Sequence, residues 1–202
     1  MTAWRAEAER GRGGDATGKE GEEDHMAQRI VGIADCKFSR DTGDQLVTYA
    51  LGSCIAVVLY DPASKAGGML HFMLPESSLD TRKAGQTPYM FADTGVPLLF
   101  QHVYALGGRK QNLIVRLAGG AQVMDAEGVF NIGKRNHLAV KKLLWKEGVF
   151  ISSEHVGGTL SRTVRMELDG GRMTIREPGA PEFEVPLRRQ ARVDRPVAAP
   201  VG

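Results

Sequence analysis

The chain has 202 residues, of which 42% are hydrophobic and 25% charged, so it can bury one core of good size but not comfortably two. Its formal net charge of +2 is too small to indicate a nucleic acid or an anionic membrane as partner. We therefore expect a single domain that binds no nucleic acid.

The two cysteines, Cys36 and Cys54, form no CxxC pattern and have no metal-ligand spacing. A disulfide framework is therefore not expected. The N-terminus lacks the apolar run of a secretory signal, and no stretch of the chain is long enough to span a bilayer. We predict a cytoplasmic protein without membrane insertion, in which a free thiol stays reactive.

Composition divides the chain into three parts. Residues 1–27 are polar and rich in glycine and glutamate, which predicts a disordered extension. Residues 188–202 combine proline, arginine and small residues without a period, which predicts a flexible tail. The folded domain is expected over 28–187.

Short apolar runs within this domain predict six strands. They lie at 29–35, 45–50, 54–60, 68–74, 112–118 and 149–156. Two helices are predicted at 94–106, with Asp93 or Thr94 as N-cap, and at 134–147. A hairpin follows that turns at 169–171. Strands outnumber helices, so the fold class is α+β in layers.

The segment 48–75 carries the chemistry of the chain. Turn residues at 61–64 separate two strand-like runs, and we expect Tyr60 to pair with Lys65 across them. In an antiparallel ladder this register places Cys54 opposite His71, on the same face of the sheet.

A thiol beside an imidazole predicts a cysteine nucleophile, because the imidazole can take the thiol proton and form an ion pair. Cys54 is then the nucleophile and His71 the general base. Gly52 lets the backbone approach a substrate, and the N–H groups of Ser53 and Cys54 are candidate oxyanion donors. Thr48 is the nearest hydroxyl that could orient the imidazole.

Structural interpretations of the same residues stay open at this point. A cysteine at the head of an apolar strand can be inert core, His71 a structural histidine and Thr48 an ordinary strand residue. Cys36 has no histidine at a matching register and is interpreted as structural.

No cofactor and no metal site are predicted. None of His102, His137 and His155 lies at the spacing from another ligand that a metal site requires. We expect packing or solvated roles for them. The glycine pairs at 119–120 and 157–158 are interpreted as tight turns and not as phosphate loops.

Four ordered motifs resemble the CheD family of chemoreceptor glutamine deamidases. They are LGSCIAVVLYDPASKAGGMLHFMLP at 51–75, RLAGGA at 116–121, FNIGKRNH at 130–137 and VGGTLSR at 156–162, and the similarity runs over about 28–176. The resemblance implies that the catalytic residues are Cys54, His71 and Thr48. It also implies a layered α/β/α sandwich with a mixed β-sheet, like that of the bacterial toxin deamidases.

The activity implied by the resemblance is hydrolysis of specific glutamine side chains on chemoreceptors, the methyl-accepting chemotaxis proteins, through a cysteine thioester. Its implied partners are the cytoplasmic domains of these receptors and a CheC-type phosphatase. One alternative is a regulatory binding module for a CheC-type phosphatase, with secondary catalysis. A cysteine protease is a third option, but nothing in the sequence indicates an extended cleft for a peptide backbone.

Overall fold

The computed structural model describes residues 27–123 and 131–187. Strand β1 begins at Ala27, the last residue of the predicted extension. The predictions of a disordered extension and of a flexible tail otherwise fall on 1–26 and 188–202, which lie outside the described residues.

Ten strands and three α-helices make up the described part of the chain. The strands are β1 (Ala27–Ile30), β2 (Asp35–Ser39), β3 (Asp44–Leu51), β4 (Ile55–Tyr60), β5 (Gly67–Phe72), β6 (Ile114–Gly119), β7 (Ser153–Val156), β8 (Arg162–Glu167), β9 (Met173–Arg176) and β10 (Phe183–Glu184). The helices are α1 (Thr81–Gln86), α2 (Ala92–Ala105) and α3 (Ile132–Lys146). The predicted α+β class is confirmed.

The strands form two mixed sheets of five strands each. The central sheet has the order β2-β5-β4-β6-β7, and the outer sheet has the order β1-β3-β8-β9-β10. Among the strands of the described residues, β1 with β3 and β6 with β7 pair in parallel, and the other pairs are antiparallel. The predicted hairpin is β8–β9, and it builds the outer sheet together with β3.

Strand β4 separates two hydrophobic cores. Its residues Ile55, Val57 and Leu59 pack with α2 and α3, whereas Ala56 and Val58 pack with the outer sheet. The layers are therefore helices, central sheet and outer sheet. The α/β/α order expected from the resemblance is wrong, because α2 and α3 cover the same face and the outer sheet covers the other.

The two predicted helices are α2 and α3, and each starts two residues before its predicted position. Phe91, and neither Asp93 nor Thr94, precedes the first turn of α2. Both predicted caps lie inside the helix and bind elsewhere: the Asp93 carboxylate accepts from the Ser77 N–H at 2.9 Å, and the Thr94 hydroxyl donates to the Pro88 carbonyl at 2.5 Å. No helix in the described residues is long and apolar enough to cross a membrane.

The chain passes from the outer sheet to the central sheet through Gly52, Ser53 and Cys54, which connect β3 to β4. A register shift between Thr48 and Leu51 marks a β-bulge at the end of β3, with Ala50 at a φ of 53°. An extra residue in one strand re-aims the side chains on either side of it. The bulge therefore lets both Thr48 and Leu51 be fully buried.

Candidate active site

Thr48 and His71 meet between the two sheets. The Oγ1 atom of Thr48 lies 2.8 Å from Nδ1 of His71, and both residues are buried. Thr48 belongs to β3 of the outer sheet and His71 to β5 of the central sheet. The predicted contact between this hydroxyl and the imidazole is therefore present, although it joins two different sheets.

The other ring nitrogen of His71 is left open. Nε2 is buried and has no hydrogen-bond partner among the described residues. A buried imidazole nitrogen without a partner is costly in free energy, and a catalytic role is one explanation for such an atom.

The predicted register of Cys54 and His71 is wrong by two residues. Tyr60 pairs with Gly67 and not with Lys65, and His71 is opposite Ala56. The connection is longer than expected because it closes with a bond of 2.8 Å from the Asp61 N–H to the Ala66 carbonyl.

A shift of two residues keeps the same face of the sheet. Cys54 lies one residue before β4, and continuing the register of the ladder to it makes its position diagonal to that of His71. Diagonal pairs are within reach of long or aromatic side chains. Cys54 is partly exposed and packs against the core between the sheets, the core that contains Ala56.

Burial disfavours charge on both members of the pair. It raises the pKa of the Cys54 thiol, although the backbone N–H of the same residue opposes the shift. Burial lowers the pKa of His71 to about 4, against the opposing charge of Asp35, which is its partner on β2. Both shifts favour the uncharged thiol and imidazole at neutral pH over the ion pair considered from the sequence.

The loop that carries Cys54 is held by the turn after β6. The Gly120 N–H donates to the Cys54 carbonyl at 2.8 Å, and the Ala121 N–H donates to the Gly52 carbonyl at 2.9 Å. A Cβ atom at Gly119 would overlap the Cys54 carbonyl, so only glycine fits there. This glycine pair forms a tight turn that sets the position of the cysteine.

The candidate oxyanion donors are the N–H groups of Ser53 and Cys54, and the latter also interacts with the thiol of its own residue. Within the described chain, neither the Ser53 N–H nor the Cys54 N–H donates to a backbone carbonyl. The Gly52 position is narrow, because a Cβ there would lie 3.2 Å from a methyl group of Val123. The assignment of Gly52 and Ser53 to substrate binding stays a prediction.

Two buried residues near the loop were missed by the sequence analysis. Arg162 donates from its guanidinium to the carbonyls of His155 at 2.7 Å and of Gly157 at 2.6 Å, which shapes the second glycine turn. Asn136 on α3 donates to two carbonyls next to the site, those of Ser53 and Met73. Both lie in motifs that resembled the family, but a contact to backbone leaves no pattern in a single sequence.

Cys36 has a different environment. It pairs with Leu70 on β5 and therefore faces the helix side of the central sheet, away from His71. Burial raises its pKa to about 12, with the charge of Asp35 as a second cause. These features fit the structural role predicted for it.

The remaining histidines make packing and polar contacts. His102 stacks on Phe38 with 4.1 Å between ring centroids, and His137 lies 2.8 Å from the Glu154 carboxylate. His155 contacts Phe183 edge to face. In the described residues there is no cluster of three metal-ligating side chains.

A buried imidazole bonded to a hydroxyl, with a partly exposed thiol on a neighbouring loop, is compatible with a cysteine-dependent hydrolase, although no hydrogen bond joins Cys54 to His71 within the described residues. Comparison with known proteins narrows the class. The family model described as CheD chemotactic sensory transduction matches residues 73–177.

Relatives named for a single activity match most of the chain. The probable chemoreceptor glutamine deamidase CheD of Solibacter usitatus (strain Ellin6076) is 50% identical over 161 residues, which cover 80% of this chain and 95% of that protein. The probable chemoreceptor glutamine deamidase CheD 1 of Syntrophus aciditrophicus (strain SB) is 51% identical over 160 residues, covering 79% of this chain and 100% of that protein. This chain belongs to the CheD family.

Proposed function

We propose that the chain is a protein-glutamine glutaminase that acts on chemoreceptors. It hydrolyses specific glutamine side chains on their cytoplasmic domains to glutamate, through a thioester on Cys54, and thereby tunes chemotaxis signalling. Membership of the CheD family supports the activity, as do the names of relatives that are about half identical to this chain.

The observation that carries the mechanism is the bond between Thr48 and His71. If Nδ1 keeps its proton and donates it to the Thr48 hydroxyl oxygen at 2.8 Å, Nε2 has a free lone pair. This nitrogen is the buried atom without a partner. The threonine hydroxyl can accept from Nδ1–H, so this contact is compatible with the tautomer that a general base requires.

In the first step, the sulfur of Cys54 attacks the carboxamide carbon while Nε2 of His71 takes the thiol proton. The C–S bond forms as the carbonyl π pair moves to oxygen. Proton transfer accompanies attack because burial favours the uncharged forms of both the thiol and the imidazole. The N–H groups of Ser53 and Cys54 bind the oxyanion.

In the second step, the oxyanion collapses and the C–N bond breaks. The His71 imidazolium gives its proton to the departing nitrogen, which leaves as ammonia. A glutamyl thioester remains on Cys54, and His71 is again a neutral base.

In the third step, water replaces ammonia. His71 takes a proton from the water as its oxygen attacks the thioester carbon, and the C–S bond breaks. The thiolate recovers its proton from His71, and glutamate is released. The receptor gains one negative charge for each glutamine, which changes the repulsion between packed receptor helices.

The test is the mass of a chemoreceptor cytoplasmic fragment after incubation with wild-type protein and with Cys54→Ala. We expect the small gain that accompanies exchange of NH₂ for OH, at particular glutamines, with the wild type alone. Cys36→Ala is the matched control, because it removes the other thiol and should leave the reaction intact. If no fragment gains mass, or if Cys36→Ala is the inactive variant, the proposal is wrong.

A CheC-type phosphatase partner and a kinship with the bacterial toxin deamidases stay predictions from the family resemblance. The alternative function, a module that regulates a CheC-type phosphatase, is separated by the same experiment. A pure module would bind the phosphatase and leave every receptor glutamine unchanged.

A further inference from the structure

Asn136 contacts both halves of the candidate active site from the helix layer. It is fully buried on α3, and its Nδ2 atom donates to the Ser53 carbonyl at 3.1 Å and to the Met73 carbonyl at 2.7 Å. Ser53 precedes the nucleophile, and Met73 lies two residues after the base. One side chain therefore joins the cysteine loop to the end of the histidine strand.

The bond to Ser53 has a consequence for Cys54. The Ser53 carbonyl and the Cys54 N–H belong to one peptide group, which is planar and trans, since the described chain has no cis peptide bond. In a trans peptide the C=O and N–H bonds point in opposite directions. Fixing the carbonyl toward α3 therefore directs the Cys54 N–H away from the helix.

The peptide group on the other side of Cys54 is fixed as well, because the Gly120 N–H donates to the Cys54 carbonyl. Helix α3 can approach this turn only because residue 133 is glycine. A Cβ atom there would overlap the backbone of Gly120. The same contact that brings α3 close thus brings Asn136 within reach of the loop.

We propose that Asn136 is a positioning residue that orients the Cys54 N–H as an oxyanion donor. Within the described residues its hydrogen bonds go to backbone carbonyls and not to the thiol or the imidazole, so it acts through the Ser53 peptide group. The inference rests on the proposed deamidase function, and it assigns to α3 a part in the chemistry of the two sheets.

The test compares two reactions of Cys54. Deamidation passes through an oxyanion, whereas alkylation by iodoacetamide is a direct displacement that forms none. Removal of one oxyanion donor lowers kcat by about 10²- to 10³-fold in other enzymes. We expect Asn136→Ala to lower kcat for a receptor fragment by about 10²-fold, and to leave KM essentially unchanged. The Cys54 N–H also lowers the pKa of its own thiol, so alkylation is compared at a pH high enough to ionise the thiol in both proteins, where the rate should not change.

Val140→Ala is the matched control for loss of stability. Val140 is buried one turn further along α3 and makes apolar contacts only, so its truncation weakens the same helix without touching the loop. The Val140→Ala variant should have a lower melting temperature than the wild type but a kcat close to the wild-type value. Asn136→Ser, which keeps one donor on a shorter side chain, should show a smaller loss of kcat and decides the question if Asn136→Ala does not fold.

The inference is overturned if the variants of Asn136 lose deamidation and the high-pH alkylation rate in parallel, or lose no more activity than Val140→Ala. Both results would mean that Asn136 only stabilises the fold. A wild-type protein that alters no receptor fragment would instead remove the proposed function, so the two failures are distinguishable.

Discussion

Thr48 on the outer sheet and His71 on the central sheet are joined at 2.8 Å, between Oγ1 and Nδ1, in the layer where the two sheets pack. The bond orients the imidazole, and the sulfur of Cys54 belongs to the loop by which the chain changes sheets. The proposed site is thus a property of the packing of two sheets and not of one strand or one hairpin.

Thr48→Val tests the role of this hydroxyl, because valine keeps the shape and removes the hydrogen bond. General acid–base catalysis supplies about 10²- to 10⁴-fold in rate, and loss of orientation should remove part of it. We expect kcat on a receptor fragment to fall by about 10- to 100-fold. Thr48→Ser, which restores a hydroxyl, should recover most of the activity; full activity in Thr48→Val would make Thr48 an ordinary core residue.

The pKa of His71 predicts how stability depends on pH. Burial lowers it to about 4, below the ordinary value of 6.5, so the unfolded chain binds the proton more tightly. The contribution of His71 to the free energy of unfolding is fully present above about pH 6.5. It is lost as the pH drops toward about 4, which lowers the free energy of unfolding by about 3 kcal/mol.

Urea unfolding of the wild type and of His71→Gln, which does not titrate, isolates this contribution. The wild type should lose more free energy of unfolding than the variant between neutral and acid pH. Equal pH dependence of the two proteins would show that His71 titrates normally and is not held neutral by burial.

The thiol of Cys54 should react slowly with iodoacetamide at neutral pH. Burial raises its pKa, so the thiolate accumulates only at higher pH, and the rate should keep rising through about pH 9 without a plateau near neutrality. The measurement is made in Cys36→Ala, so that one thiol reports. A neutral-pH plateau that disappears in His71→Ala would restore the ion pair expected from the sequence.

One substitution at two glycines should have opposite effects. Gly133→Ala places a Cβ against the Gly120 backbone and should lower the free energy of unfolding by about 1–3 kcal/mol, with a loss of activity through the Cys54 loop. Gly85→Ala, on α1 with no atom within 4 Å of the new Cβ, should raise it by about 0.5–1 kcal/mol. Urea unfolding measures both, and a stable, fully active Gly133→Ala variant would contradict the close approach of α3.

Apolar runs predicted the four strands around the site, β3 to β6, because buried strands are read directly from composition. Strand β2 was missed, since Asp35 and Lys37 interrupt a five-residue edge strand. The order of layers was also wrong. Periodicity identifies the apolar face of a helix but not the side of the sheet on which it packs.

The residues of the site were predicted better than their geometry. The chemistry of thiol, imidazole and hydroxyl selected Cys54, His71 and Thr48, but the register depended on a turn that closes with the Asp61 N–H and the Ala66 carbonyl. The Asn136 side chain bonds only to backbone carbonyls among the described residues. Such contacts depend on tertiary packing, which local sequence patterns do not specify.

Because the chain crosses between the sheets at Gly52, Ser53 and Cys54, the position at which a circular permutant is opened should decide whether it stays active. A circular permutant opened within this loop, with the two termini of the chain joined by a linker, would keep every strand pair. It would nevertheless release Cys54 from the turn at Gly119 and Gly120. A circular permutant opened at Asp169–Gly171, in the β8–β9 hairpin, would keep the crossover intact. Turnover would thus tell apart two permutants that differ little in secondary structure.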